Sequence, residues 1–497
     1  MTGQVRACEV PAALPLPADW EEQLEAEFKP QSGQIRRDVV EAVTALVQQA
    51  ERTTLDLQGD SIEVVEAIIA EIDERLSSQI NEILHHPEFQ RLESAWRGLE
   101  YLTHNTETDS MLKLRVLNVK KAEVHRVLKR FKGVNWDQSP LFKALYEEEY
   151  GRLGGEPYAC LIADYSFDHS PKDVETLGEL AKIGAACHCP ILSAAAPGLL
   201  QMESWRELSN PRDVANLFTT PQYAPWRSLR AAEESRYLAL ALPRFLGRQP
   251  YGARTNPVED FAFEEDTGGG QFERFSWINA AYAMAVNVTR SFKQYGWCSK
   301  IRGIESGGAV FDLPTYAYGT SDGGLDVTCP TEIGITDRRE AELSRAGLMP
   351  LVHKKNTNVA AFIGAQSLHR PAIYEEPDAT ANANLAARLP YLLATCRFAH
   401  YLKCIVRDKV GSFQGPEDMQ RWLQRWLTQY VEGDPAHASE EAKARKPLAD
   451  AEVVVVEDED NPGYYRSSFF LRPHYQLEGL TVSLRLVSKL PSARAGA

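Results

Sequence analysis

The sequence lacks the short motifs that mark the common nucleotide-binding folds and the zinc peptidases. Its 497 residues contain no Gly-x-Gly-x-x-Gly, no Gly-x-x-x-x-Gly-Lys-Ser/Thr and no His-Glu-x-x-His pattern. Those patterns cradle a phosphate with backbone amides or hold a zinc ion on one helix face. Because these motifs are absent, no set of residues in the sequence indicates a catalytic site, and we expect neither a cofactor nor a resident metal.

An excess of positive charge is also lacking. The chain carries 54 Lys and Arg against 69 Asp and Glu, a formal net charge of -15 at pH 7. Proteins that bind nucleic acid or anionic membranes need clustered cations to contact phosphate groups. We therefore expect partners other than nucleic acid and lipid surfaces.

Long apolar runs and closely spaced cysteines are missing too. Charged residues interrupt the apolar runs well short of the ~18 residues that span a bilayer, and Met1–Cys8 form no apolar secretion core. The eight cysteines are scattered, unlike those of disulfide-stapled secreted domains. The sequence predicts a cytoplasmic protein with no membrane insertion.

Two local clusters suggest chemistry, and each has a simpler interpretation. Asp164 follows a predicted strand, where open α/β sheets bind ligands, but an Asp that caps the next turn gives the same pattern. Cys187-His188-Cys189 contains metal-ligand residue types, but a closed zinc site takes four ligands from paired clusters. Because the other cysteines are isolated, buried thiols at a helix end explain the second cluster better.

Residues 1–33 are rich in proline and predict a flexible N-terminal segment with one short amphipathic helix. Trp20, Leu24 and Phe28 recur every four residues and lie on one face of that helix. A helix this short is marginal in water. It either docks on its own domain or binds in the groove of a partner protein.

Residues 34–110 are predicted to be helical. One helix begins at Asp60 or Ser61, and Pro87 suits the first turn of another. In the first of these two helices, apolar residues recur every three or four positions and form a seam typical of coiled coils. This seam packs either against another helix of the same chain or against a helix of a partner. The seam contains Ile62, Val65, Ile69, Ile72 and Leu76.

Residues 111–377 have the pattern of a mixed α/β core. Residues 158–163, a helix opened by Ser170-Pro171 and residues 190–195 predict a parallel, right-handed β-α-β unit. Asp322-Gly323-Gly324 is a hairpin signal. Further strands are predicted at 112–116, 237–242, 297–304, 325–329, 348–353 and 359–363, with a helix at 275–295 closed by Gly296.

Residues 378–450 return to helix. Pro390 is expected to kink or break the first segment, and Gly415-Pro416 begins a second one. The second segment has a broad apolar face, which consists of Met419, Trp422, Leu423, Trp426, Leu427 and Tyr430.

Residues 451–497 contain three strand-like runs. In the last run, Val482, Leu484 and Leu486 alternate with Ser483, Arg485 and Val487, the period of a strand with one buried face. A terminal strand presents unpaired backbone groups, so it either closes a sheet of its own chain or pairs with another chain by strand addition. The apolar residues of the three runs are Val453, Val454, Val455 and Val456, then Phe469, Phe470 and Leu471, then Val482, Leu484 and Leu486.

Several longer strings, in the same order from about residue 60 to residue 492, point to one family. They include His85-His86-Pro87-Glu88-Phe89-Gln90, Trp96-Arg97-Gly98-Leu99, Leu242-Pro243-Arg244-Phe245, Pro250-Tyr251-Gly252, Cys329-Pro330-Thr331-Glu332, Thr336-Asp337-Arg338-Arg339-Glu340 and Leu471-Arg472-Pro473. Together they resemble the large subunit of the type VI secretion contractile sheath, the TssC/VipB family. The resemblance implies N-terminal helices, a mixed α/β core related to phage tail sheath proteins, and C-terminal antiparallel strands.

The resemblance also implies a structural, non-enzymatic protein of the bacterial cytoplasm. Such proteins pair with a smaller sheath subunit of the TssB/VipA type, here through residues 34–110. Copies of the pair polymerise on a baseplate around an inner tube of Hcp-like rings, and contraction propels that tube into a target cell. Terminal strands of one subunit complete the sheet of the next, a role that would fall on Val453–Val456, Phe469–Leu471 and Val482–Val487.

A ClpV-type AAA+ ATPase reads an N-terminal helix in this family. The corresponding segment here is Trp20–Phe28, which departs from the usual pattern because it is acidic and carries Trp20.

Two other functions are weighed against the sheath. A non-polymerising cytoplasmic adaptor would use the same helices to bind one partner and would form a complex of fixed mass. An α/β enzyme would use the Asp164 strand edge, and it would need a phosphate loop or a nucleophile elbow, neither of which we expect in this chain.

Overall fold

The computed structural model describes residues 61–210, 213–259, 261–268, 271–319, 325–409, 416–435, 437–457 and 465–474, with Gly33, Gln34 and Arg37. The chain divides into two compact units, Met1–His86 with Pro250–Asp266 and Pro87–Gln249 with Thr267–Ala497. Two groups of predicted residues lie outside the described residues: Trp20, Leu24 and Phe28, and Val482, Leu484 and Leu486.

Helices begin at the capping residues that the sequence offers. The Ser170 hydroxyl accepts a hydrogen bond from the Asp173 amide, and Pro171 occupies the first turn. The predicted break at Pro390 is confirmed, because one helix ends at Ala386 and the next begins at Leu389. The α-helices are α1 Ser61–Leu84, α2 Pro87–His104, α3 Lys121–Arg130, α4 Pro140–Phe142, α5 Pro171–Cys187, α6 Val214–Leu217, α7 Ala224–Ala231, α8 Ala280–Tyr295, α9 Asp337–Arg345, α10 Pro377–Ala386, α11 Leu389–Lys409, α12 Pro416–Thr428 and α13 Glu440–Arg445.

Short 3-10 and π turns connect these helices with the strands. The 3-10 turns are Gly133–Gln138, Pro197–Leu200, Trp205–Ser209, Pro221–Tyr223, Glu233–Tyr237 and Phe272–Arg274, and the π turns are Lys143–Tyr150 and Ile304–Gly308. The strands are β1 Leu161–Phe167, β2 Ile191–Ala195, β3 Leu238–Leu242, β4 Phe245–Leu246, β5 Trp277–Ile278, β6 Ala309–Val310, β7 Ala317–Gly319, β8 Leu325–Val327, β9 Leu348–His353, β10 Ala360–Phe362, β11 Leu448–Glu457 and β12 Tyr465–Pro473.

A six-stranded sheet with the order β1-β2-β3-β9-β10-β6 organises the larger unit. β1, β2, β3 and β9 are parallel, whereas β10 is antiparallel to both β9 and β6. The predicted β-α-β unit is confirmed as β1, α5 and β2. Among the described residues, three two-stranded sheets accompany it: β4-β5, β7-β8 and β11-β12.

β3 shows how the sheet separates two cores. Leu238, Leu240 and Leu242 point to one face and pack in the cluster that contains residues of α5 and α7. Ala239 and Ala241 point to the other face, where α8 lies. Successive strand residues face opposite sides, so large side chains fill one layer and small ones let α8 approach the other.

Two predicted strands are wrong. Residues 112–116 have no regular secondary structure and no strand partner among the described residues, and Arg115 forms ion pairs with Glu149 and Glu156 instead. Residues 297–304 turn back on the end of α8, where the Ser291 hydroxyl bonds the Trp297 carbonyl at 2.9 Å and the Lys300 amide at 3.2 Å. In the described part of the chain, neither segment has a neighbouring strand to pair with.

One helix boundary also differs from the sequence prediction. Residues 275–279 are not helical, because Trp277–Ile278 pairs with Phe245–Leu246. α8 begins only after Asn279, whose side chain accepts from the Ala281 amide, and it ends at Gly296, as predicted, in the left-handed conformation (φ 78°).

The smaller unit is described at α1 and at residues 250–259 and 261–266. Near the end of α1, the Asn81 side chain donates to the Glu264 carbonyl at 3.3 Å and accepts from the Asp266 amide at 2.8 Å. Glu265 accepts from the Tyr251 amide at 2.8 Å and lies 3.6 Å from His85. These contacts fasten the end of the helix to the loop.

Candidate assembly interface

The C-terminal hairpin of β11 and β12 contains the first two predicted strand runs. Val453 pairs with Phe469, Val454 with Ser468, and Val456 with Arg466 in an antiparallel register. The strand assignments of Val453–Val456 and Phe469–Leu471 are therefore confirmed. Their role in association stays a prediction.

One face of the hairpin belongs to the core of its own chain. Ala451, Val453 and Val455 are buried, with Val453 only 1% exposed, and Phe469 and Leu471 pack against the same cluster. That cluster holds the predicted apolar face of α12, with Met419, Leu423 and Leu427 buried. On the opposite face, Phe470 is 60% exposed and Val456 is 49% exposed.

The outer edge of β11 is occupied by side chains of α12. Gln424 Nε2 donates to the Ala451 carbonyl at 2.7 Å, and Gln424 Oε1 accepts from the Val453 amide at 2.9 Å. Gln420 Oε1 accepts from the Val455 amide at 3.2 Å. Near the start of the strand, the Leu448 amide and carbonyl bond residues 430 and 432. These contacts satisfy backbone groups that an edge strand otherwise exposes.

The same bonds fix which backbone groups of β12 point outward. In an antiparallel pair, opposite residues alternate between bonding each other and facing away. The Val453 and Val455 amides face away from β12, so their partners Phe469 and Ser467 face away from β11. Within the described part of the chain, no strand pairs with this outer edge of β12.

The helical seam lies on α1, in the smaller unit. Ile69 is 47% exposed and Leu76 is 42% exposed, whereas Ile72 is half-buried. Ile62 and Val65 belong to the same helix, and their side chains lie outside the described ones. The helix is confirmed, and its pairing with a partner stays a prediction.

Asp164 lies inside β1, which continues to Phe167, so the expectation that it ends a strand is wrong, and so is the turn-capping interpretation. Its carboxylate accepts from Asn279 Nδ2 at 3.2 Å. Burial raises the pKa of Asp164, while hydrogen bonds from Asn279 and Tyr282 act in the opposite direction. The side chain holds the start of α8 against the sheet.

Cys187-His188-Cys189 closes α5, as the simpler interpretation predicts. His188 adopts the left-handed conformation (φ 51°), and burial raises the pKa of both thiols. No group of three or more His, Cys, Asp or Glu among the described residues is arranged to hold a metal ion. Likewise, no helix in the described ranges has the length and apolarity needed to cross a membrane.

Gly319-Thr320-Ser321-Asp322-Gly323 matches the Gly-x-Ser-x-Gly spelling of a nucleophile elbow. An elbow turns from a strand into a helix, whereas this segment joins β7 to β8, which pair antiparallel. The flanking strands are those of a hairpin, as Asp322-Gly323-Gly324 predicts, and residues 320–324 themselves lie outside the described ones.

Comparison with protein families decides the identity of the chain. Residues 66–369 match the EvpB/VC_A0108 tail sheath N-terminal domain, and residues 378–490 match the EvpB/VC_A0108 tail sheath gpW/gp25-like domain. The chain belongs to the VipB tail sheath family. The resemblance drawn from the sequence strings is thereby confirmed.

A curated relative agrees with this assignment. The chain is 65% identical over 468 residues to the type VI secretion system sheath protein TssC1 of Pseudomonas aeruginosa, and the match covers 94% of either chain. Similar solved structures include the baseplate of the anti-feeding prophage, at a TM-score of 0.38 and 12% identity, and its contracted helical sheath, at 0.34 and 13%. Each covers 76% of this chain and 84% of the other.

Proposed function

We propose that the protein is the structural large subunit of a type VI secretion contractile sheath in the bacterial cytoplasm. It pairs with a small sheath subunit, polymerises with copies of itself around an inner tube on a baseplate, and contracts to drive that tube into a target cell. The single observation that carries this proposal is family membership over both matched regions. The hairpin supplies a physical means of linking subunits.

The link is strand addition at the outer edge of β12. Backbone groups of Ser467, Phe469 and Leu471 face away from β11 and offer an antiparallel or parallel strand a row of donors and acceptors. The run at Val482, Leu484 and Leu486 alternates with the period such a strand needs. A copy of that run from a neighbouring subunit would lay its apolar face beside Phe469 and Leu471, next to the core of α12.

This type of link suits a tube that changes length. Each backbone hydrogen bond contributes about 0.5–1.5 kcal/mol net, so a ladder of several bonds persists while whole subunits rotate. The energy for contraction then comes from the difference in interface burial between two packings of rigid subunits. No nucleotide needs to bind this chain for the step.

Two further contacts are part of the proposal. The exposed Ile69 and Leu76 on α1 form an apolar stripe that a helix of the small subunit would cover. Trp20, Leu24 and Phe28 would form the helix that a ClpV-type ATPase reads after contraction.

Negative-stain electron microscopy of this chain, co-expressed with a small sheath subunit of the TssB/VipA type, tests the proposal. We expect long tubules with a ridged surface. A discrete soluble complex at all salt and protein concentrations would contradict the sheath and favour the non-polymerising adaptor.

The strand-addition link has its own test in Ser467→Pro. Proline removes the outward amide of residue 467 and leaves the bonds between β11 and β12 in place. We expect the variant to keep the small-subunit complex and to lose tubules, whereas Ser467→Ala, which keeps the amide, forms them. Equal tubule yield from both variants would exclude the outer edge of β12 as the link.

A further inference from the structure

α3 and the residues that flank it concentrate positive charge in a chain that is acidic as a whole. From Lys120 to Lys132 the sequence has six cations and one carboxylate, Glu123, whereas the whole chain has a formal net charge of -15. The buried face of α3 is apolar, because Val124 and Leu128 pack in the core cluster that contains residues of α5. The cations are therefore not needed for the packing of the helix, and their function lies at its surface.

α5 neutralises two of these cations and leaves four. Lys121 Nζ lies 2.7 Å from a carboxylate oxygen of Asp173, and Lys132 Nζ lies 2.6 Å from one of Glu175. The other four are exposed, and among the described residues none of them forms an ion pair: Lys120, Arg126, Lys129 and Arg130. The last three are three and four residues apart, a spacing at which like charges destabilise a helix. We expect carboxylates of another molecule to offset these charges.

Exposed apolar side chains lie next to these cations along the chain. Val116 is 69% exposed and Leu117 is 67% exposed, and Lys120 follows three residues later. Three residues span at most about 11 Å of chain, so the apolar pair borders the start of the charged face. Apolar side chains beside polar ones are typical of surfaces that bind another protein. We call this set the basic surface, and it consists of Val116, Leu117, Lys120, Arg126, Lys129 and Arg130.

The segment that leads into α10 has the opposite charge and similarly exposed apolar residues. Ile373 is 85% exposed and Tyr374 is 50% exposed. Three exposed carboxylates follow, and none of them forms an ion pair among the described residues: Glu375, Glu376 and Asp378. Thr380 of α10 fixes the segment, since its hydroxyl lies 2.9 Å from the Tyr374 amide nitrogen and 3.1 Å from the Tyr374 carbonyl oxygen. We call Ile373–Asp378 the acidic segment.

We propose that the acidic segment of one copy of the chain docks on the basic surface of a neighbouring copy. The inference rests on the proposed function, because it names a contact between subunits of the sheath. Both surfaces belong to the larger unit, but they consist of different residues, so the contact is head-to-tail. Contacts of this kind repeat from copy to copy and build a ring or a helical array rather than a closed pair.

The composition of the two surfaces favours a second copy as the partner. Four cations meet three carboxylates, and on each side two exposed apolar residues adjoin the charges. Because the chain as a whole is acidic, its copies repel each other except where the basic surface faces a cluster of carboxylates, and this steers the encounter toward one register. A nucleic acid would engage the cations alone and would leave Val116 and Leu117 uncovered.

Association of the full chain, in its complex with a small sheath subunit of the TssB/VipA type, tests the contact. Sedimentation velocity gives the fraction of protein in species larger than one complex. We expect this fraction to fall when salt is raised from about 0.1 M to about 1 M, because the Debye length falls from about 10 Å to about 3 Å and the contact is screened. A parent complex whose association does not depend on salt would overturn the proposal.

Charge reversal on either side tests the pairing of the two surfaces. The basic-reversed variant is Arg126→Glu/Lys129→Glu/Arg130→Glu, and the acid-reversed variant is Glu375→Lys/Glu376→Lys/Asp378→Lys. Each variant places like charges across the contact, so we expect each to weaken association on the order of tenfold or more. The combined variant, with all six changes, has opposite charges again, and we expect it to associate like the parent.

A further variant controls for the net charge of the chain. Lys354→Glu/Lys355→Glu/Arg425→Glu reverses three exposed cations outside the basic surface. It changes the net charge by the same amount as the basic-reversed variant, and we expect it to associate like the parent. Because all these substitutions are at exposed positions, the thermal unfolding midpoint of each variant should match that of the parent.

Three results with these variants would contradict the contact. One is parental association of either reversed variant. Another is a loss of association in the control variant equal to the loss in the basic-reversed variant. The third is a combined variant that does not recover, although its unfolding midpoint matches that of the parent. In the first case, a labelled DNA duplex that binds the parent complex and not the basic-reversed variant would assign the basic surface to phosphate groups instead.

Failure of this contact and failure of the proposed function give different results. Tubules from the basic-reversed variant at the parental yield, seen by electron microscopy, would reject the contact and leave the sheath function standing. A parent that forms no tubules, but whose association is lost on charge reversal and restored in the combined variant, would reject the sheath and keep the contact.

Discussion

Gly98 determines how closely α2 packs on α8. A methyl group at this position would overlap the ring of Tyr282. The Tyr282 side chain in turn forms a hydrogen bond with the half-buried Asp164. Because Gly98 has no side chain, the Tyr282 ring can lie against α2 and still contact Asp164 in the central sheet.

Gly98→Ala should therefore destabilise the larger unit. Overpacking of a core costs about 1–3 kcal/mol, which exceeds the gain in helix propensity of roughly 1 kcal/mol. Differential scanning calorimetry should show a lower unfolding midpoint. The matched control is Gly334→Ala, where a methyl group meets nothing within 4 Å, and it should leave the midpoint unchanged. Equal midpoints for both variants would refute the packing argument.

His400 provides a second residue-scale effect, on pH dependence. It is buried in α11, with Nε2 2.8 Å from the Cys187 carbonyl. Burial lowers its pKa from 6.5 to about 4, although the bond to Cys187 acts in the opposite direction. The unfolded chain therefore binds a proton at a higher pH than the folded one. The contribution to stability is complete above pH 6.5 and is lost as the pH falls toward 4.

His400→Gln keeps a donor for the Cys187 carbonyl and removes the titration. We expect the loss of stability between pH 7 and pH 4.5 to shrink by up to about 3 kcal/mol. The readout is the unfolding midpoint at the two pH values. His437→Gln replaces an exposed histidine and should keep the parental pH dependence. If both variants behave like the parent, His400 is not the group responsible.

At the scale of elements, hydrogen bonds from α12 side chains to the β11 backbone hold the helix and the strand together. The side-chain amide of Gln424 makes two bonds to the β11 backbone, in the manner of a neighbouring strand. Gln424→Met would leave the Ala451 carbonyl and Val453 amide without these partners, at a cost of roughly 1–3 kcal/mol.

We expect Gln424→Met to increase hydrogen exchange at Val453 and to promote aggregation, because a second strand edge becomes available. Arg425→Met is the control, since Arg425 is exposed on the same helix. Unchanged exchange at Val453 in Gln424→Met would show that the glutamine is dispensable.

The elements that the sequence predicted best are those with local signals. Ser170-Pro171, Gly296 and Pro416 fix helix ends through capping and backbone conformation, and the structure has all three boundaries. The strand predicted at 297–304 is wrong because pairing is a non-local property. An apolar run becomes a strand only if another strand lies beside it, and Ser291 holds this run against α8 instead.

The candidate interface was predictable in part for the same reason. Short continuous runs of β-branched and aromatic residues indicated the strands at Val453–Val456 and Phe469–Leu471. The glutamines at 420 and 424 gave no signal, because their function depends on how α12 packs against β11. The domain boundaries at residues 33, 110, 377 and 450, the seam on α1 and the terminal run at 482–486 stay predictions.

At the scale of the whole molecule, removal of residues 480–497 tests whether this segment is needed for folding of the subunit or for its assembly into tubules. Among the described residues, the core that the hairpin and α12 form extends as far as Leu471. We expect the truncated chain to form a soluble complex with the small subunit but no tubules, as seen by size-exclusion chromatography and electron microscopy. Truncation at residue 491, which spares the run at 482–486, is the control. Loss of the soluble complex would mean that the segment belongs to the subunit's own core.

The glutamines of α12 also limit how far sheets can grow. A hairpin with two available edges can accept strands on both sides, and identical subunits could then stack without end, as in a fibril. Because Gln420 and Gln424 occupy the β11 edge, the described hairpin can accept an added strand only at the β12 edge. Each hairpin can accept a single strand, so each sheet would stop growing after one added strand. Other contacts between subunits would then set the geometry of the assembly.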